Sequence, residues 1–282
     1  MGWSGGQPWY RSHTVMTSRN MMPVTAYEIN DLGKEEQVNL LRMLIPERLF
    51  EIFHVDREYF TNRAGQKIVK FICPEKMPFF QIEFWRALDE RDPVMFLDIS
   101  TTSFGQMEIS FIVVNDPGAE RFEIDVDEKG QDTYFGTVRR NISEEEKSLE
   151  AGLAPGQVRK GLRLMRYLVQ TWEIFFSRLG HKYFFLEPLG YYSAILYEKY
   201  GFDYIKGKEK MLYIDREFRK GGVLWARLDG STPFRERSMA ETVRGRAWAI
   251  HDGILDEPWV SPKMYKTIGY DSKVCTFKEY TF

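Results

Sequence analysis

Apolar residues recur three and four positions apart in two parts of the chain, and this spacing predicts amphipathic helices. The first part covers residues 34–56, where Pro46 divides the pattern into two short helices. The second part covers residues 162–179 and is followed by Gly180, a residue type that commonly ends helices. The chain is therefore expected to open with short helices and to carry one long helix beyond its middle.

Between these two helical parts, β-branched and aromatic residues form short runs that predict β-strands. Residues that favour turns separate the runs, as is typical of antiparallel strands. The last run alternates most clearly, because Phe122, Ile124 and Val126 face one way while acidic residues face the other. The predicted strands cover residues 67–73, 79–88, 93–100, 106–115 and 121–127.

Shorter elements are predicted in the rest of the chain. Ser143 stands three residues before Glu146, the spacing of a capping box, and predicts a short helix that ends at Gly152. Thr232 before Pro233 marks the start of another helix. Further strands are predicted at residues 182–187, 211–215 and 223–228, and a short helix at residues 194–202. Together the elements predict an α+β fold in which helices flank a mixed, mostly antiparallel sheet.

Composition and charge narrow the class of protein. The 282 residues are 43% hydrophobic, enough for a sizeable core, and the net charge of −2 gives no general attraction to nucleic acid or anionic lipid. No apolar run approaches the ~20 residues of a membrane span, so no membrane partner is expected. Cys73, Cys275 and the histidines show no metal-ligand spacing, and we therefore expect no metal and a reducing, cytoplasmic location.

The chain divides into three predicted parts. Residues 1–24 lack an apolar core and are expected to form a flexible leader. Residues 25–215 hold the predicted sheet and its helices, with a long insert at about residues 128–156. Residues 216–282 form a C-terminal extension. Because its last segment is rich in aromatic residues, we expect the extension to pack on the main domain or on a second copy in a homodimer.

The segment at residues 194–202 predicts an amphipathic helix that is stopped by glycine and carries one tyrosine near its end. It resembles the second motif of the GNAT superfamily of acyl-CoA N-acyltransferases, which is roughly Asn-x-x-Ala-x-x-Leu-Tyr-x-x-x-Gly-Phe. Gly190 stands where that pattern has asparagine. The matching residues are Ser193, Leu196, Tyr197, Gly201 and Phe202. The order of predicted elements over residues 25–215 also resembles that of a GNAT domain.

A turn at residues 156–163, before the long helix, carries glycine and basic residues. A helix start favours anions, because its first N–H groups lack partners and the helix dipole is positive there. GNAT enzymes hold the coenzyme A pyrophosphate at this point, over an Arg/Gln-x-x-Gly-x-Gly/Ala turn. The resemblance therefore implies acetyl-CoA or another acyl-CoA as co-substrate. The implied cofactor-binding residues are Asp127, Val158, Arg159, Lys160, Gly161, Leu162, Arg163 and Ser193.

The match to that turn depends on the register. If Gly161 is its first glycine, Val158 stands where the pattern has Arg or Gln, and Arg163 stands where the pattern has its final Gly or Ala. If Gln157 is its first residue, Lys160 replaces the glycine. In either register the neighbouring basic side chains are able to hold phosphate directly.

The resemblance also implies the chemistry. An acyl group, expected to be acetyl, would pass from coenzyme A to an amine of a small molecule or peptide. A base must take a proton from the amine, and an acid must protonate the departing thiolate. Tyr197 matches the acid of the family by motif. The polar face of the predicted strand before the long helix supplies Glu123 and Asp125 as candidate catalytic carboxylates.

Other interpretations stay open. Tyr197 could be a packing residue, and the acids of residues 121–127 could form a solvated face or bind a cationic substrate. A GNAT-fold protein without acyltransferase activity could bind a ligand or partner at the same turn. A nucleic-acid-binding module is less favoured, because the net charge is negative and no recognisable motif is present. Its cations would be Arg139, Arg140, Arg159, Lys160, Arg163 and Arg166.

Overall fold

The computed structural model of the protein describes residues 24–134, 136 and 138–277. The predicted leader before Val24 lies outside the described residues, as do Tyr280 and Phe282 of the aromatic C-terminal segment. No helix within these ranges is long and apolar enough to cross a membrane. The same ranges contain no group of three or more histidine, cysteine or acidic residues that could hold a metal ion.

Seven strands form one open sheet in the described part of the chain, in the order β1-β2-β3-β4-β5-β7-β6. Neighbouring strands are antiparallel except for β4 and β5, which are parallel. This is the mixed, mostly antiparallel sheet that the sequence pattern predicts. The strands are β1 (Val69–Ile72), β2 (Phe79–Phe84), β3 (Met95–Thr101), β4 (Met107–Val114), β5 (Tyr183–Leu186), β6 (Asp203–Lys206) and β7 (Lys263–Thr267).

The α-helices of the described residues are mostly short, and α5 is the longest of them. Single 3₁₀ turns at residues 42–44, 233–235 and 237–241 connect some of the helices. The helices are α1 (Ala26–Asn30), α2 (Lys34–Leu41), α3 (Glu47–Phe53), α4 (Ile142–Glu150), α5 (Met165–Arg178), α6 (Tyr191–Glu198), α7 (Lys208–Glu217), α8 (Val223–Ala226) and α9 (Val243–His251).

The main core lies between helices and one face of the sheet. Strands β2 and β3 alternate buried and half-buried residues, as strands with one covered face do. Rings from α5 meet rings from the strands: the centroids of Phe175 and Phe80 are 6.3 Å apart, and Phe176 stacks on Phe184 at 4.6 Å. Phe202, just after α6, lies 5.7 Å from Phe184. These contacts fix α5 and the end of α6 on the same face.

Strands β4 and β5 are joined through α5, which crosses that face. The C-terminal ends of a parallel pair lie at the same edge of the sheet. Pairing between the two strands reaches only to Ile109 and Leu186, although β4 continues to Val114. Ser110 is a β-bulge in the ladder with β3. Beyond Ile109, the edge of β4 that faces β5 has no strand partner in the described part of the chain.

Several predicted elements are confirmed. The first four predicted strands are β1 to β4, residues 182–187 contain β5, and residues 34–56 contain α2 and α3. The long helix ends before Gly180, whose φ of 85° is left-handed, but it begins at Met165 rather than at residue 162. The helix before Gly152 is α4, and Asn141 rather than Ser143 caps it.

The strand predicted at residues 121–127 is wrong. Val126 makes only an isolated bridge with Asp132. Phe122 and Ile124 are buried in a small cluster with Leu153, separate from the main core. The alternation therefore reflects two apolar side chains covered by the insert, and it does not indicate a ladder of the sheet.

Two strands predicted after α6 are also wrong. Residues 211–215 belong to α7. Its buried residues Met211, Ile214 and Phe218 are three and four positions apart, which is helical spacing. Residues 223–226 form α8. Both apolar runs are short, and a short apolar run does not distinguish a strand from a helix. The helix predicted to start at Thr232 is a 3₁₀ turn there, and α9 begins only at Val243.

Strand β7 belongs to the C-terminal extension and yet lies inside the sheet. Tyr265 of β7 pairs with Phe185 of β5 on one side and with Asp203 of β6 on the other. The extension therefore packs on residues 25–215 by contributing a strand to their sheet.

Candidate functional site

Residues 158–164 cross the end of β4 and lead into α5. The Lys160 carbonyl oxygen accepts a hydrogen bond from the Asp116 N–H at 2.8 Å, just beyond the end of β4. The Val158 carbonyl oxygen accepts one from the Phe122 N–H at 2.8 Å. Both bonds hold this segment, and with it the start of α5, at the edge of the sheet where β4 ends.

Gly161 and Leu162 bring the turn close to the sheet. A Cβ atom on Gly161 would lie 2.8 Å from the carbonyl oxygen of Val114, so only glycine allows this approach without a shift of the backbone. Leu162 packs against the main core. In this structure the glycine is thus required by contact between the turn and β4.

The start of α5 presents backbone donors without acceptors. No N–H from Val158 to Tyr167 has a hydrogen-bond acceptor within the described ranges. Leu164 at the N-cap offers no side-chain acceptor, and the first turn holds no acidic residue. Arg163, with a φ of 58°, is left-handed. Successive N–H groups in such a turn, at the positive end of a helix dipole, suit an anion.

The basic side chains of the turn differ in their surroundings. Lys160, Arg163 and Arg166 are exposed and form no ion pair with any residue that the structure describes. Arg159 is turned inward instead: its side chain is 13% exposed, and Nη2 lies 2.7 Å from Oδ2 of Asp92. The side chain of Arg159 is therefore held by Asp92, while the three exposed cations form no such pair.

The predicted acid Tyr197 is enclosed on α6. The residue is 6% exposed, and its ring centroid lies 5.1 Å from that of Phe202. Burial raises the pKa of its hydroxyl, which therefore stays protonated at neutral pH. No residue within the described ranges forms a hydrogen bond with this hydroxyl. Tyr197 thus keeps its proton, as a general acid must, but substrate would have to reach it through a narrow opening.

Ser193, predicted to bind the cofactor, caps its own helix. Its hydroxyl donates to the Gly190 carbonyl at 2.9 Å and lies 3.2 Å from the Gly190 N–H. Because α6 begins directly after β5, this helix start lies at the same edge of the sheet as the start of α5.

The predicted bases Glu123 and Asp125 are held by arginines. Arg91 donates to Glu123 at 2.5 Å and to Asp125 at 3.1 Å, and Arg121 donates to Asp125 at 2.6 Å. Burial raises the pKa of Asp125, but the hydrogen bond and charge of Arg121 outweigh burial and hold the pKa below its usual range. A carboxylate stabilised in this way is a poor proton acceptor, so the cluster is better explained as a structural ion-pair network.

Asp127 also has a local structural role. Its carboxylate accepts hydrogen bonds from the Gln131 N–H at 2.8 Å and the Lys129 N–H at 2.9 Å, which close a turn. These bonds, with that from Gln131 the largest cause, lower the pKa of Asp127. No hydrogen bond or ion pair joins Asp127 to residues 158–163 in the described part of the chain.

The strand that precedes α5 in the sheet is β4, and its one acidic residue is Glu108. Lys263 Nζ lies 3.0 Å from Glu108 and 3.4 Å from Glu187, so one lysine is shared by two carboxylates. Glu108 lies opposite Phe185, in the first of the two residue pairs that join β4 to β5. Glu108 was not a candidate from the sequence, because the alternation at residues 121–127 predicts the strand before the long helix there.

The insert is attached to α9 through a buried charged cluster. Arg140 Nη2 lies 2.5 Å from Oε2 of Glu145, and Arg140 Nη1 lies 2.7 Å from Oδ1 of Asp252. His251 Nε2 lies 3.2 Å from Oε1 of Glu145. Burial raises the pKa of Glu145, but His251 and Arg140 outweigh burial and lower it overall.

The arginines of the insert are paired with acidic side chains. Arg140 binds Glu145 and Asp252, and Arg139 Nε lies 3.9 Å from Asp127. These ion pairs weigh against a nucleic-acid surface on the insert.

Two open cavities lie away from these residues. One, of about 470 Å³, is lined by α2 and by the segment after α3, including Arg42 and Arg57. The other, of about 310 Å³, lies at the opposite edge of the sheet, beside Gly105 and Tyr183. Neither is lined by a predicted site residue.

Comparisons of this chain with protein-family models, with curated proteins and with solved structures found no match.

Proposed function

We propose that this protein is an acyl-CoA-dependent N-acyltransferase of the GNAT type, with acetyl as the expected acyl group and an amine as the acceptor. The observation that carries the proposal is the start of α5. Its N–H groups have no acceptor in the described structure, and it lies at the C-terminal edge of a parallel strand pair. Beside it, Lys160, Arg163 and Arg166 form no ion pair with any described residue, whereas Arg159 is paired with Asp92. Ligands of sheets with parallel strands commonly bind at that edge.

The order of elements supports the proposal. Opening helices, four antiparallel strands, a long helix, a strand, the helix of Tyr197 and a closing strand follow one another, as the resemblance implies. The closing strand is not the one expected at residues 211–215. Strands β6 and β7 take its place, and β7 arrives from the C-terminal extension.

The donor set fits a pyrophosphate joined to an extended amide chain. The N–H groups of residues 158–164 would hold the phosphates, assisted by Lys160 and Arg163. The free edge of β4 beyond Ile109 presents backbone N–H and C=O groups, which an extended chain with amide groups can pair with as an added strand would. Pantetheine is such a chain, and the two sites are adjacent because the turn contacts the end of β4 at Gly161.

The catalytic roles follow from the described side chains. The acyl-CoA supplies the acyl group as a thioester, and coenzyme A is the thiol that leaves. Glu108 replaces Glu123 and Asp125 in our proposal as the residue that takes a proton from the acceptor ammonium, so that the amine nitrogen can form its bond to the thioester carbon. Glu108 is preferred because its one cation, Lys263, is shared with Glu187, whereas each of the other two carboxylates is held by two arginines. Tyr197 gives its proton to the sulfur as the carbon–sulfur bond breaks, and recovers one from the nitrogen through solvent.

A second candidate is a protein of the same fold that binds an acyl-CoA or a related anion without catalysis. The enclosure of Tyr197 favours it, because a hydroxyl on a residue only 6% exposed has little access to a thiolate. Both candidates share the anion site at α5, and they differ in turnover.

Calorimetry and a turnover assay test the proposal together. Coenzyme A and acetyl-CoA should bind with measurable heat, and their affinity should weaken as salt is raised, because the contacts are largely ionic. Release of free thiol from acetyl-CoA should then rise when pools of primary amines are added. Binding without amine-dependent thiol release would favour the second candidate. No binding of either compound at millimolar concentration would refute both.

A further inference from the structure

The last described segment of the chain, residues 271–277, lies across the end of α6. It follows β7 and contains no helix or strand. A Cβ atom on Gly201, in the turn after α6, would lie 2.9 Å from the Cα atom of Asp271, so the two backbones are in direct contact. The Ser272 hydroxyl donates a hydrogen bond to the Phe202 carbonyl oxygen at 2.8 Å. We call residues 271–277 the C-terminal strap.

A carboxylate on α6 holds the other end of the strap. Thr276 donates to Glu198 twice, from its N–H at 2.8 Å and from its hydroxyl at 2.6 Å. Tyr204 of β6 donates to the same carboxylate at 2.5 Å. The Phe277 ring is 1% exposed, and its centroid lies 4.4 Å from the guanidinium carbon of Arg246 on α9. The strap is therefore fixed to α6 by hydrogen bonds and to α9 by one ring.

The carboxylate that anchors the strap differs from the other buried carboxylates. Glu145, Glu198 and Asp215 are the buried acidic residues in the described part of the chain. Glu145 and Asp215 each form an ion pair with an arginine, whereas Glu198 forms none with any described residue. Burial raises the pKa of the Glu198 carboxyl, and the hydrogen bonds from Thr276 and Tyr204 oppose this rise without cancelling it. A buried carboxylate without a cation is costly, so this anchor is weaker than an ion pair would be.

The backbone of the strap is also loosely attached. Its one backbone-to-backbone hydrogen bond with the rest of the described chain runs from the Ser272 N–H to the Gly201 carbonyl oxygen. At 3.4 Å this bond is longer than a normal N–H···O bond. Segments with few backbone hydrogen bonds are those that open locally, at a free energy below that of global unfolding.

The strap binds two neighbours of Tyr197. Glu198 follows Tyr197 in α6, and Phe202 contacts its ring with 5.1 Å between the centroids. The Phe202 N–H also donates to the Tyr197 carbonyl oxygen at 3.3 Å. Because the strap ties both neighbours in place, its release would loosen the surroundings of a tyrosine that is only 6% exposed.

We propose that the C-terminal strap is a latch that opens while the sheet stays folded, and that its opening gives substrate access to Tyr197. The access to substrate rests on the proposed function, whereas the latch itself does not. The open form breaks both bonds between Thr276 and Glu198 and exposes that carboxylate to water.

Hydrogen exchange of single amides, followed by NMR under native conditions, tests the latch. After correction for intrinsic rates, the amides of Thr276 and Phe202 should exchange at least about a hundredfold faster than amides at the centre of β3. Thr276→Val removes the hydroxyl that donates to Glu198 and keeps the volume of the side chain. It should speed exchange of both amides about tenfold, the scale of one hydrogen bond to a charged group. Ser272→Ala should speed it severalfold.

Thr133→Val is the matched control. Thr133 is 0% exposed, and its hydroxyl donates to the Ile124 carbonyl oxygen at 2.7 Å in the insert, outside the strap. This bond stays intact when the strap opens. The variant should therefore leave exchange at Thr276 and Phe202 unchanged, even if it lowers the free energy of global unfolding.

Thiol release from acetyl-CoA in the presence of amines tests the access to Tyr197. If reaction proceeds only from the open form, Thr276→Val should raise the rate by the same factor as the exchange, and Thr133→Val should not. Exchange of the strap amides at the rate of the β3 amides, or exchange that Thr276→Val does not change, overturns the latch. Faster opening without faster thiol release overturns the access and leaves the latch. Opening as expected, with no thiol release from any variant, overturns the proposed function and the access together and also leaves the latch.

Discussion

Replacement of Tyr197 by phenylalanine separates a chemical role of its hydroxyl from a packing role of its ring. The substitution keeps the ring that lies 5.1 Å from Phe202 and removes one oxygen. In the described structure this hydroxyl has no hydrogen-bond partner, so no protein hydrogen bond is lost. We therefore expect the free energy of unfolding to stay within about 1 kcal/mol of the wild-type value.

Turnover should respond differently. If Tyr197 protonates the departing thiolate, its loss should lower kcat by roughly 10²-fold, the lower end of general acid catalysis. The Kd for coenzyme A should change little, because the lost interaction exists only in the transition state. Thiol release from acetyl-CoA, measured at saturating amine, gives kcat, and urea unfolding gives stability.

Tyr191→Phe is the matched control for this experiment. Tyr191 is on the same helix and is 1% exposed, and its fully buried hydroxyl has no hydrogen-bond partner in the described structure. Our proposal gives it no chemical role, so its variant should keep wild-type kcat. A folded Tyr197→Phe protein that also turns over at the wild-type rate would contradict the reasoning and leave Tyr197 as a packing residue.

Three further predictions test the site and its surroundings. Gly161→Ala should weaken coenzyme A binding in calorimetry and lower Tm, because its Cβ would lie 2.8 Å from a β4 carbonyl. The Cβ of Gly190→Ala meets nothing within 4 Å, so this variant should keep coenzyme A binding and lose only the preference for glycine at the N-cap of α6. Glu108→Gln should lower kcat roughly 10²-fold in steady-state kinetics, while Asp125→Asn should lower stability with kcat retained. The pKa of Glu145 is lowered by folding, so its contribution to stability is present above its unfolded value of about 4.3 and is lost as the pH falls below it. Urea unfolding from pH 7 to pH 3 should show this loss, and Glu145→Gln should reduce it.

The sequence predicted those parts of the fold whose residues signal their environment locally. Strands β2 and β3 alternate because one face is buried, and the stop of α5 is visible as Gly180. The pairing of β7 between β5 and β6 has no local signal, because β7 is about eighty positions from its partners in β5 and about sixty from those in β6. The alternation at residues 121–127 was misleading, since ion pairs and a small separate core produce the same pattern as a half-buried strand.

The same distinction applies to the candidate site. The turn before α5, residues 158–164, was predictable from its glycine, its cations and the helical spacing of the apolar residues that follow it. The inward turn of Arg159 toward Asp92 was not, because the two residues are brought together only by the crossing of the turn over the end of β4. Glu108 became a candidate only when the sheet order showed that β4 is the strand beside β5.

The C-terminal extension, residues 216–282, shapes this edge of the sheet although it supplies no predicted catalytic residue. Strand β7 pairs along β5, so one member of the parallel pair is fixed by a strand that follows it by about eighty residues. On the other side, Trp248 of α9 donates to the Leu153 carbonyl at 2.8 Å, and Asp252 binds Arg140 of the insert. The insert also leads directly into residues 154–164, which form the turn before α5. A rearrangement of that turn must therefore either move α9 or be confined to residues 154–164, and we favour the second because the charged cluster at Arg140 is largely buried.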